Sequence, residues 1–409
     1  MRFVAKVPTQ SVKNAAFRLA SEIAYTEQMK WTLLVPGALV PGALAPDLAR
    51  AAPVSRLTQL LSHAQPTAQH QAAEGGVGAA HWSWLARTFG LNSDPPVSAA
   101  YAWQALGGTQ AELHHCWIAF CDPVHMALGP DSVTLNDTVG APLGADETEA
   151  LLSLAREVLG EVSLGTVPKV CSGTTPAVQL RLEVRGGQWF ILADAPIDLQ
   201  TTLLDAVLGK SAQERLPNGS DARLWRKLTN QIQMLWHASA VNVAREQRGT
   251  MVVNALWVHG GGQWRRLPRS TITKVQAPDN CIDAAVLRGW LMAGRDDDVC
   301  GENARREEAQ GDMLSICRVL FRPFAFQDWE SWLTRLTLLE EHLERDLAAA
   351  RACGATRFEL IVCGARQTRT LTIPLQAAWW QRLRVASRSS APALQRWFAE
   401  ADVISEQTL

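Results

Sequence analysis

The segment of residues 231–262, QIQMLWHASAVNVAREQRGTMVVNALWVHGGG, constrains the fold more than any other part of the chain. Its first half has the periodicity of an amphipathic helix, and residues 251–259 form an apolar run typical of a strand. Asn254 interrupts this run, which ends at three consecutive glycines, Gly260, Gly261 and Gly262. The order predicts an α/β unit with a backbone-lined pocket at the carboxyl end of a strand.

The three glycines and the following Arg265 predict a site for an anion. Glycine lets backbone N–H groups approach a phosphate or carboxylate, and a guanidinium group can bind the same anion. The chain has neither a GxGxxG nor a GxxxxGK[ST] motif, so neither a dinucleotide site nor a P-loop is predicted. A tight turn followed by solvated arginines remains the other interpretation.

Asn254 places an amide in a strand that we expect to be buried. A buried amide costs free energy unless it is hydrogen-bonded. Asn254 therefore either clamps the backbone of a neighbouring loop or contacts a ligand, and the loop clamp is the commoner arrangement.

Candidate metal ligands lie in residues 121–137, CDPVHMALGPDSVTLND. Carboxylates and imidazole suit Zn²⁺ or Mn²⁺, which makes Asp122, His125 and Asp137 possible ligands. Their spacing matches no established ligand pattern, and an aspartate before Pro123 is also typical of a turn. Both interpretations stay open.

Composition restricts the class of protein. The 409 residues suffice for two or three domains, and the net charge of −1 predicts neither a nucleic-acid nor a membrane partner. No apolar run reaches the ~18–20 residues of a spanning helix. Eight cysteines without a CxxC pair favour reduced thiols in the cytoplasm over a zinc site or a disulfide framework.

The order of elements predicts an α/β domain with an inserted, smaller α+β domain. Residues 1–30 are predicted to be an N-terminal extension, with Met1 or Met29 as the start. The α/β domain is predicted to be discontinuous, with residues 31–104 and 216–409, and the insertion to span residues 105–215. One long helix is expected between Ser220 and Gly249, a loop at residues 65–78, and a short helix at residues 376–386.

Residues 216–262, LPNGSDARLWRKLTNQIQMLWHASAVNVAREQRGTMVVNALWVHGGG, carry a family resemblance. They are similar to the LPxG, helix, H-x-x-x-x-N, Arg, Gly and N-x-x-x-x-x-G pattern of archaeal-type cofactor-independent phosphoglycerate mutases. With residues 117–125 and 133–137, the chain resembles the RpfE-type regulatory proteins still more closely. Through this pattern Asn242 and Arg245 join the ligand-binding candidates, although Arg245 with Glu246 also has the simpler interpretation of a surface ion pair.

The resemblance implies an alkaline-phosphatase-like α/β domain, two divalent metal ions and a serine or threonine nucleophile. The chain departs from this pattern. Where the family has a metal-binding Asp-Gly after its first strand, this sequence has Val35-Pro36-Gly37, and Ser55 and Thr58 are the remaining nucleophile candidates. Residues 358–373 contain neither His nor Asp, and His342 is the only histidine after residue 260. Two metal ions need about six to eight ligands, mostly Asp and His.

These departures predict a catalytically degenerate phosphoglycerate-mutase-like protein without cofactor. Its expected role is regulatory, or the binding of a small anionic metabolite near Asn254, Gly260–Gly262 and Arg265. One alternative is an active mutase with Mn²⁺ or Zn²⁺ at relocated ligands, namely Asp122, His125, Asp137, His237 and His259. The other is a scaffold that binds a protein partner through a tryptophan-rich surface.

Overall fold

Two β-sheets organise the chain. The computed structural model describes residues 29–53, 56–62, 64–71, 79–93, 95–129, 132–160, 178–278, 282–295, 311–375 and 391–400. The strands are β1 Lys30–Pro36, β2 Gln65–Gln71, β3 Trp117–Leu128, β4 Val133–Asn136, β5 Leu180–Arg185, β6 Gln188–Ala193, β7 Ala255–Gln263, β8 Ile272–Gln276, β9 Asp312–Ile316, β10 Arg357–Cys363 and β11 Gln367–Ile373. The α/β class predicted from the sequence is confirmed.

Helices cover both faces of these sheets. They are α1 Ala45–Ala51, α2 Arg56–Ser62, α3 Ala80–Thr88, α4 Ala99–Ala105, α5 Gln110–His115, α6 Ala145–Gly160, α7 Leu204–Val207, α8 Ala222–His237, α9 Ala240–Gln247, α10 Ile282–Ala293, α11 Phe321–Ala325, α12 Trp329–Ala352 and α13 Ala391–Phe398. Across the described residues, no helix combines the length and the apolar character that crossing a bilayer requires.

The first sheet has six strands in the order β2-β11-β10-β1-β9-β8. Strands β8, β9, β1 and β10 are parallel, whereas β11 and β2 are antiparallel additions at one edge. Strand β1 is buried on both faces, as parallel strands with helices on each side are. Leu33 faces a core cluster formed with α1, α2, α12 and α13, and Leu34 faces the opposite cluster with α3, α4 and α10.

The second sheet has five strands and is antiparallel. Its order is β4-β3-β6-β5, and β7 pairs with the other edge of β3. Alternation along β3 divides its side chains between two faces. Ile118 and Phe120 join the cluster that contains α3, α4 and α10, whereas Trp117 and Ala119 face α6 and α8. The helices α3, α4 and α10 therefore lie between the two sheets.

We call the first sheet with its helices the first lobe, and the second sheet with α6, α8 and α9 the second lobe. Because β7 pairs with β3, the chain returns to the first sheet at β8. The order of elements in the sequence predicts this return at residue 216. The helix–strand unit after residue 216 resembles a crossover of the α/β domain, but β7 runs antiparallel to β3.

Three local predictions differ from the structure. Residues 65–71 form the exposed edge strand β2 and not a loop, because β11 supplies its hydrogen-bonding partner. The single long helix is two helices, since Ser239 caps α9 by accepting a hydrogen bond from the backbone N–H of Asn242. Ser220 bonds Asp198 and does not cap α8. The predicted helix at residues 376–386 and the N-terminal extension before Met29 lie outside the described residues.

The contact between α4 and α10 depends on Gly289. A Cβ at this position would overlap the carbonyl oxygen of Tyr101 in α4. We expect Gly289→Ala to lower the free energy of unfolding by about 2 kcal/mol, because the overlap is with backbone. Gly144→Ala is the control, since a Cβ there meets nothing within 4 Å. Chemical denaturation of both variants tests this, and equal stability of the two would contradict it.

Candidate functional site

A cavity of about 470 Å³ lies between the two lobes. It is bordered from the first lobe by the segment after β9 and by the start of α10, so it lies beyond the carboxyl ends of β8 and β9. This is where open α/β sheets bind ligands. The second lobe contributes β3, β7, the β5–β6 hairpin and the segment after β4. The titratable groups on its border are Asp122, Asp137, Asp205, His259, Arg318 and Arg322.

Arg318 is the centre of the polar network at this cavity. It follows β9 directly, and its Nη1 donates to both carboxylate oxygens of Asp283 at 2.8 Å. Its Nη2 donates to Oδ1 of Asp205 at 2.8 Å. Asp283 begins α10 and its side chain is 1% exposed, whereas that of Arg318 is 17% exposed. One guanidinium thus pairs with two carboxylates from separate parts of the chain.

Asp205 is held from two sides. Burial opposes ionisation of its carboxyl group, but the charge of Arg318 and a hydrogen bond from His81 together hold its pKa well below the usual range. His81 Nε2 lies 3.0 Å and Trp82 Nε1 lies 2.8 Å from Oδ2. Since α3 and Arg318 belong to the first lobe, Asp205 joins the segment after β6 to that lobe.

The antiparallel pairing of β3 and β7 brings Asp122 and His259 together. Phe120 is the residue opposite His259 in this pairing, and the His259 Nε2 lies 2.7 Å from Asp122 Oδ2. The His259 residue is 5% exposed, and its Nδ1 has no hydrogen-bond partner within the part of the chain that the structure describes. A carboxylate–imidazole pair of this kind can bind a polar group or orient a proton.

Asp137 pairs with Arg322 on the opposite border of the cavity. Arg322 Nη1 donates to Asp137 Oδ1, and its guanidinium lies over the Phe326 ring at 4.8 Å. Arg322 belongs to α11, which packs against Gly37 at the carboxyl end of β1. Gly37 has φ +78°, a conformation that glycine adopts without strain.

The structure brings only part of the predicted metal set together. Asp122 and His259 are bonded to each other, and Asp137 borders the same cavity. His125 binds the backbone carbonyl of Val252 through Nδ1 at 3.0 Å. His237 is exposed near the end of α8. Among the described residues, no three His, Cys, Asp or Glu side chains form a group that could hold a metal ion.

The predicted glycine-lined anion pocket is wrong. Gly260, Gly261 and Gly262 lie inside β7 and do not follow it. A Cβ at these positions would overlap Ser98, Trp117 and Val97, respectively. The glycines therefore let α4 and β3 approach β7 closely. Arg265 has an exposed side chain, and its carbonyl accepts a hydrogen bond from Tyr101.

The predicted amide and guanidinium candidates make structural contacts. Asn254 bonds the backbone N–H and carbonyl of Met126, at 2.7 and 3.0 Å, so it clamps the backbone of strand β3 and not that of a loop. Asn242 donates to the carbonyls of Trp236 and Val253 and accepts from the Val253 N–H.

The interpretation of Arg245 as part of a surface pair with Glu246 is wrong. The residue is 1% exposed. It bonds Glu147 at 2.7 Å and the carbonyls of Met251 and Ala141. Arg245 therefore fastens α9 to the start of α6. The interaction is between residues that are far apart in the sequence, so helical spacing alone pointed to the wrong partner.

Sequence reasoning missed the residues at the centre of the cavity. These are His81, Asp205, Asp283, Arg318 and Arg322. One signal was available, since Arg318 follows an apolar strand, and strand ends carry ligand-binding groups in α/β folds. The carboxylates that it binds come from α7 and α10, and no sequence pattern joins them to it.

Substitution of Arg318 tests the network. We expect Arg318→Met to lower the free energy of unfolding by about 3–5 kcal/mol, because Asp283 and Asp205 lose their buried counter-ion. Arg50→Met is the matched control, since Arg50 and Asp47 form a pair with side chains 70% and 72% exposed. The free energy of unfolding that Arg50→Met loses should stay below about 1 kcal/mol. Denaturant titrations in which both variants lose equal stability would contradict the assignment.

The lowered pKa of Asp205 predicts a dependence of stability on pH. In the unfolded chain the pKa of this carboxyl group is about 3.9, which is higher than in the folded protein, so the unfolded chain takes up the proton at a higher pH. The stability that the ionised carboxylate contributes is present above that pH and is lost as the pH falls towards the folded pKa. We expect the free energy of unfolding of Asp205→Asn to depend less steeply on pH than that of wild type between about pH 5 and 3.5. Equal slopes in denaturant titrations would argue against it.

Comparisons with known proteins find distant structures and no sequence family. No protein-family model and no curated protein matches the chain. The PH0037 protein from Pyrococcus horikoshii aligns with a TM-score of 0.41 and 10% identity over 85% of this chain and 87% of that chain. A cofactor-independent phosphoglycerate mutase from Thermoplasma acidophilum aligns with a TM-score of 0.33 and 12% identity over 85% and 90%. Alignments this distant assign no activity, and the α/β class rests on the two sheets.

Proposed function

We propose that the chain is a phosphoglycerate-mutase-like protein of the RpfE type that has lost metal-dependent phosphoryl transfer. In this proposal it is a cytoplasmic regulatory protein that binds a small molecule in the cavity between its lobes. The sequence pattern of residues 216–262 supports the family. The ion-pair network of Arg318 with Asp205 and Asp283 is the observation that supports the proposed loss of activity.

The network argues against a pair of divalent ions at the strand ends. The two carboxylates there are already bonded to a guanidinium that donates three hydrogen bonds at 2.8 Å. A cation placed beside Arg318 would be repelled by it and would compete for the same oxygens. Metal ions in such enzymes activate a nucleophile and stabilise transferred charge. The groups that line this cavity therefore do not fit two divalent ions.

The cavity itself supports a binding role. Its volume of about 470 Å³ falls within the range of small-molecule sites. Its border combines the aromatic rings of Trp82, Phe120 and Trp189 with charged groups. Apolar walls with a few polar groups are typical of ligand sites. We assign the ligand to this cavity and not to the neighbourhood of Asn254 and Arg265, whose contacts are structural.

The other two functions have less support. An active mutase at relocated ligands needs His125 and His237 beside Asp122, but His125 binds backbone and His237 is exposed. A scaffold that binds through tryptophans needs exposed rings. Within the ranges that the structure describes, every tryptophan is buried or half-buried.

A metal and activity assay tests the proposed loss of catalysis. The purified full chain is equilibrated with Mn²⁺ or Zn²⁺, its metal content is measured by mass spectrometry, and conversion of 3-phosphoglycerate is followed by ³¹P NMR. We expect no conversion above the protein-free control, because the carboxylates are held by Arg318. Stoichiometric binding of two ions together with formation of 2-phosphoglycerate would establish the mutase instead.

A further inference from the structure

Negative charge exceeds positive charge at the cavity between the lobes. The described residues on its border and directly beneath it supply four carboxylates and two guanidinium groups: Asp122, Asp137, Asp205, Asp283, Arg318 and Arg322. Both guanidinium groups are bonded to carboxylates of this set. Carboxylates stay in excess even when His81, which bonds Asp205, carries a proton.

Asp122 supplies one of the carboxylates in excess at the cavity, the other being left by Asp205 and Asp283, which share Arg318. Its Oδ2 is bonded to His259 Nε2, and within the part of the chain that the structure describes no arginine or lysine pairs with it. The side chain is 16% exposed, so it keeps access to the cavity that it borders. A carboxylate with one hydrogen bond retains acceptor capacity.

His259 holds Asp122 in place beside the cavity. The residue is 5% exposed and borders the cavity, and its Nε2 lies 2.7 Å from Asp122 Oδ2. Its Nδ1 is buried and has no hydrogen-bond partner among the described residues. Asp122 therefore supplies the accessible acceptor for a ligand that donates hydrogen bonds.

The arginines argue against an anion in this cavity. An incoming phosphate or carboxylate would have to displace Asp137 from Arg322, or Asp205 and Asp283 from Arg318. The displaced carboxylates would then lie beside a second negative group. A cation meets no such competition at Asp122. Phe120 provides aromatic surface on the same border, and such surface attracts ammonium groups.

We propose that the cavity binds a small organic cation with a primary ammonium group, which donates to Asp122 while its hydrocarbon part contacts Phe120. This inference rests on the proposed ligand-binding function and deepens it by naming the ligand class. The sequence predicts an anionic metabolite as the ligand, whereas this inference assigns a cationic one.

Three probes of equal chain length and different charge test the ligand class. Isothermal titration calorimetry of the full chain compares butane-1,4-diamine, butane-1,4-diol and succinate. We expect the diamine to bind at least about tenfold more tightly than the diol, because the charge-assisted hydrogen bond is lost. We expect no binding of succinate. Raising the salt concentration should weaken the binding of the diamine but not that of the diol.

Variants locate the site. Asp122→Asn should weaken diamine binding by about tenfold or more, whereas Asp47→Asn, at a side chain 72% exposed, should leave it unchanged. Should Asp122→Asn fail to fold, Val139 offers a second test, because it borders the cavity and is 71% exposed. Val139→Arg should weaken the diamine about threefold or more by repulsion, and Val139→Met should not.

The possible results distinguish the inferred ligand class from the proposed ligand-binding function on which it rests. Tighter binding of succinate or 3-phosphoglycerate than of the diamine would overturn the cationic ligand and leave a ligand-binding protein. Diamine binding that is the same in wild type, Asp122→Asn and Val139→Arg would overturn the site. Absence of binding for all probes would overturn the inference and count against the ligand-binding function as well.

Discussion

The ion pair between Arg318 and two buried carboxylates determines how the two lobes meet. Asp283 lies at the start of α10 in the first lobe, and Asp205 lies in the segment that leaves the second sheet. Neither carboxylate could be buried without a counter-ion, since an uncompensated buried charge costs several kcal/mol, on the order of 3–5. The guanidinium therefore fixes the position of α7 against β9 and, with it, one wall of the cavity.

The same network links the proposed loss of catalysis to the proposed ligand. The guanidinium supplies positive charge at the strand ends but, unlike a metal ion, offers no coordination position to a ligand. The carboxylates that it binds therefore hold the two lobes together. Asp122 is different because its hydrogen-bond partner is the imidazole of His259 and not a guanidinium. Its carboxylate lies on the second sheet, away from the strand ends of the first.

Hydrogen bonds to nearby backbone explain why polar residues of the second lobe have the sequence pattern of binding groups. Asn242, Arg245 and Asn254 all bond backbone carbonyls of segments next to them in space. In a sequence, a buried amide that clamps a loop and one that binds a ligand look alike, because both satisfy the same hydrogen-bonding demand. The glycines of β7 are ambiguous in the same way, since close approach of a ring or a helix needs the same missing Cβ as an anion.

Hydrophobic periodicity alone determined most of the elements. The buried strand β1, the β5–β6 hairpin with its Gly186-Gly187 turn, and the helix α12 follow from apolar patterns and turn residues that are local in the sequence. Tertiary structure decided the rest. The pairing of β7 with β3, the exposed strand β2 and the contacts of Arg318 each join residues far apart in the chain. Periodicity reports which side of an element is buried, but it does not report which partner buries it.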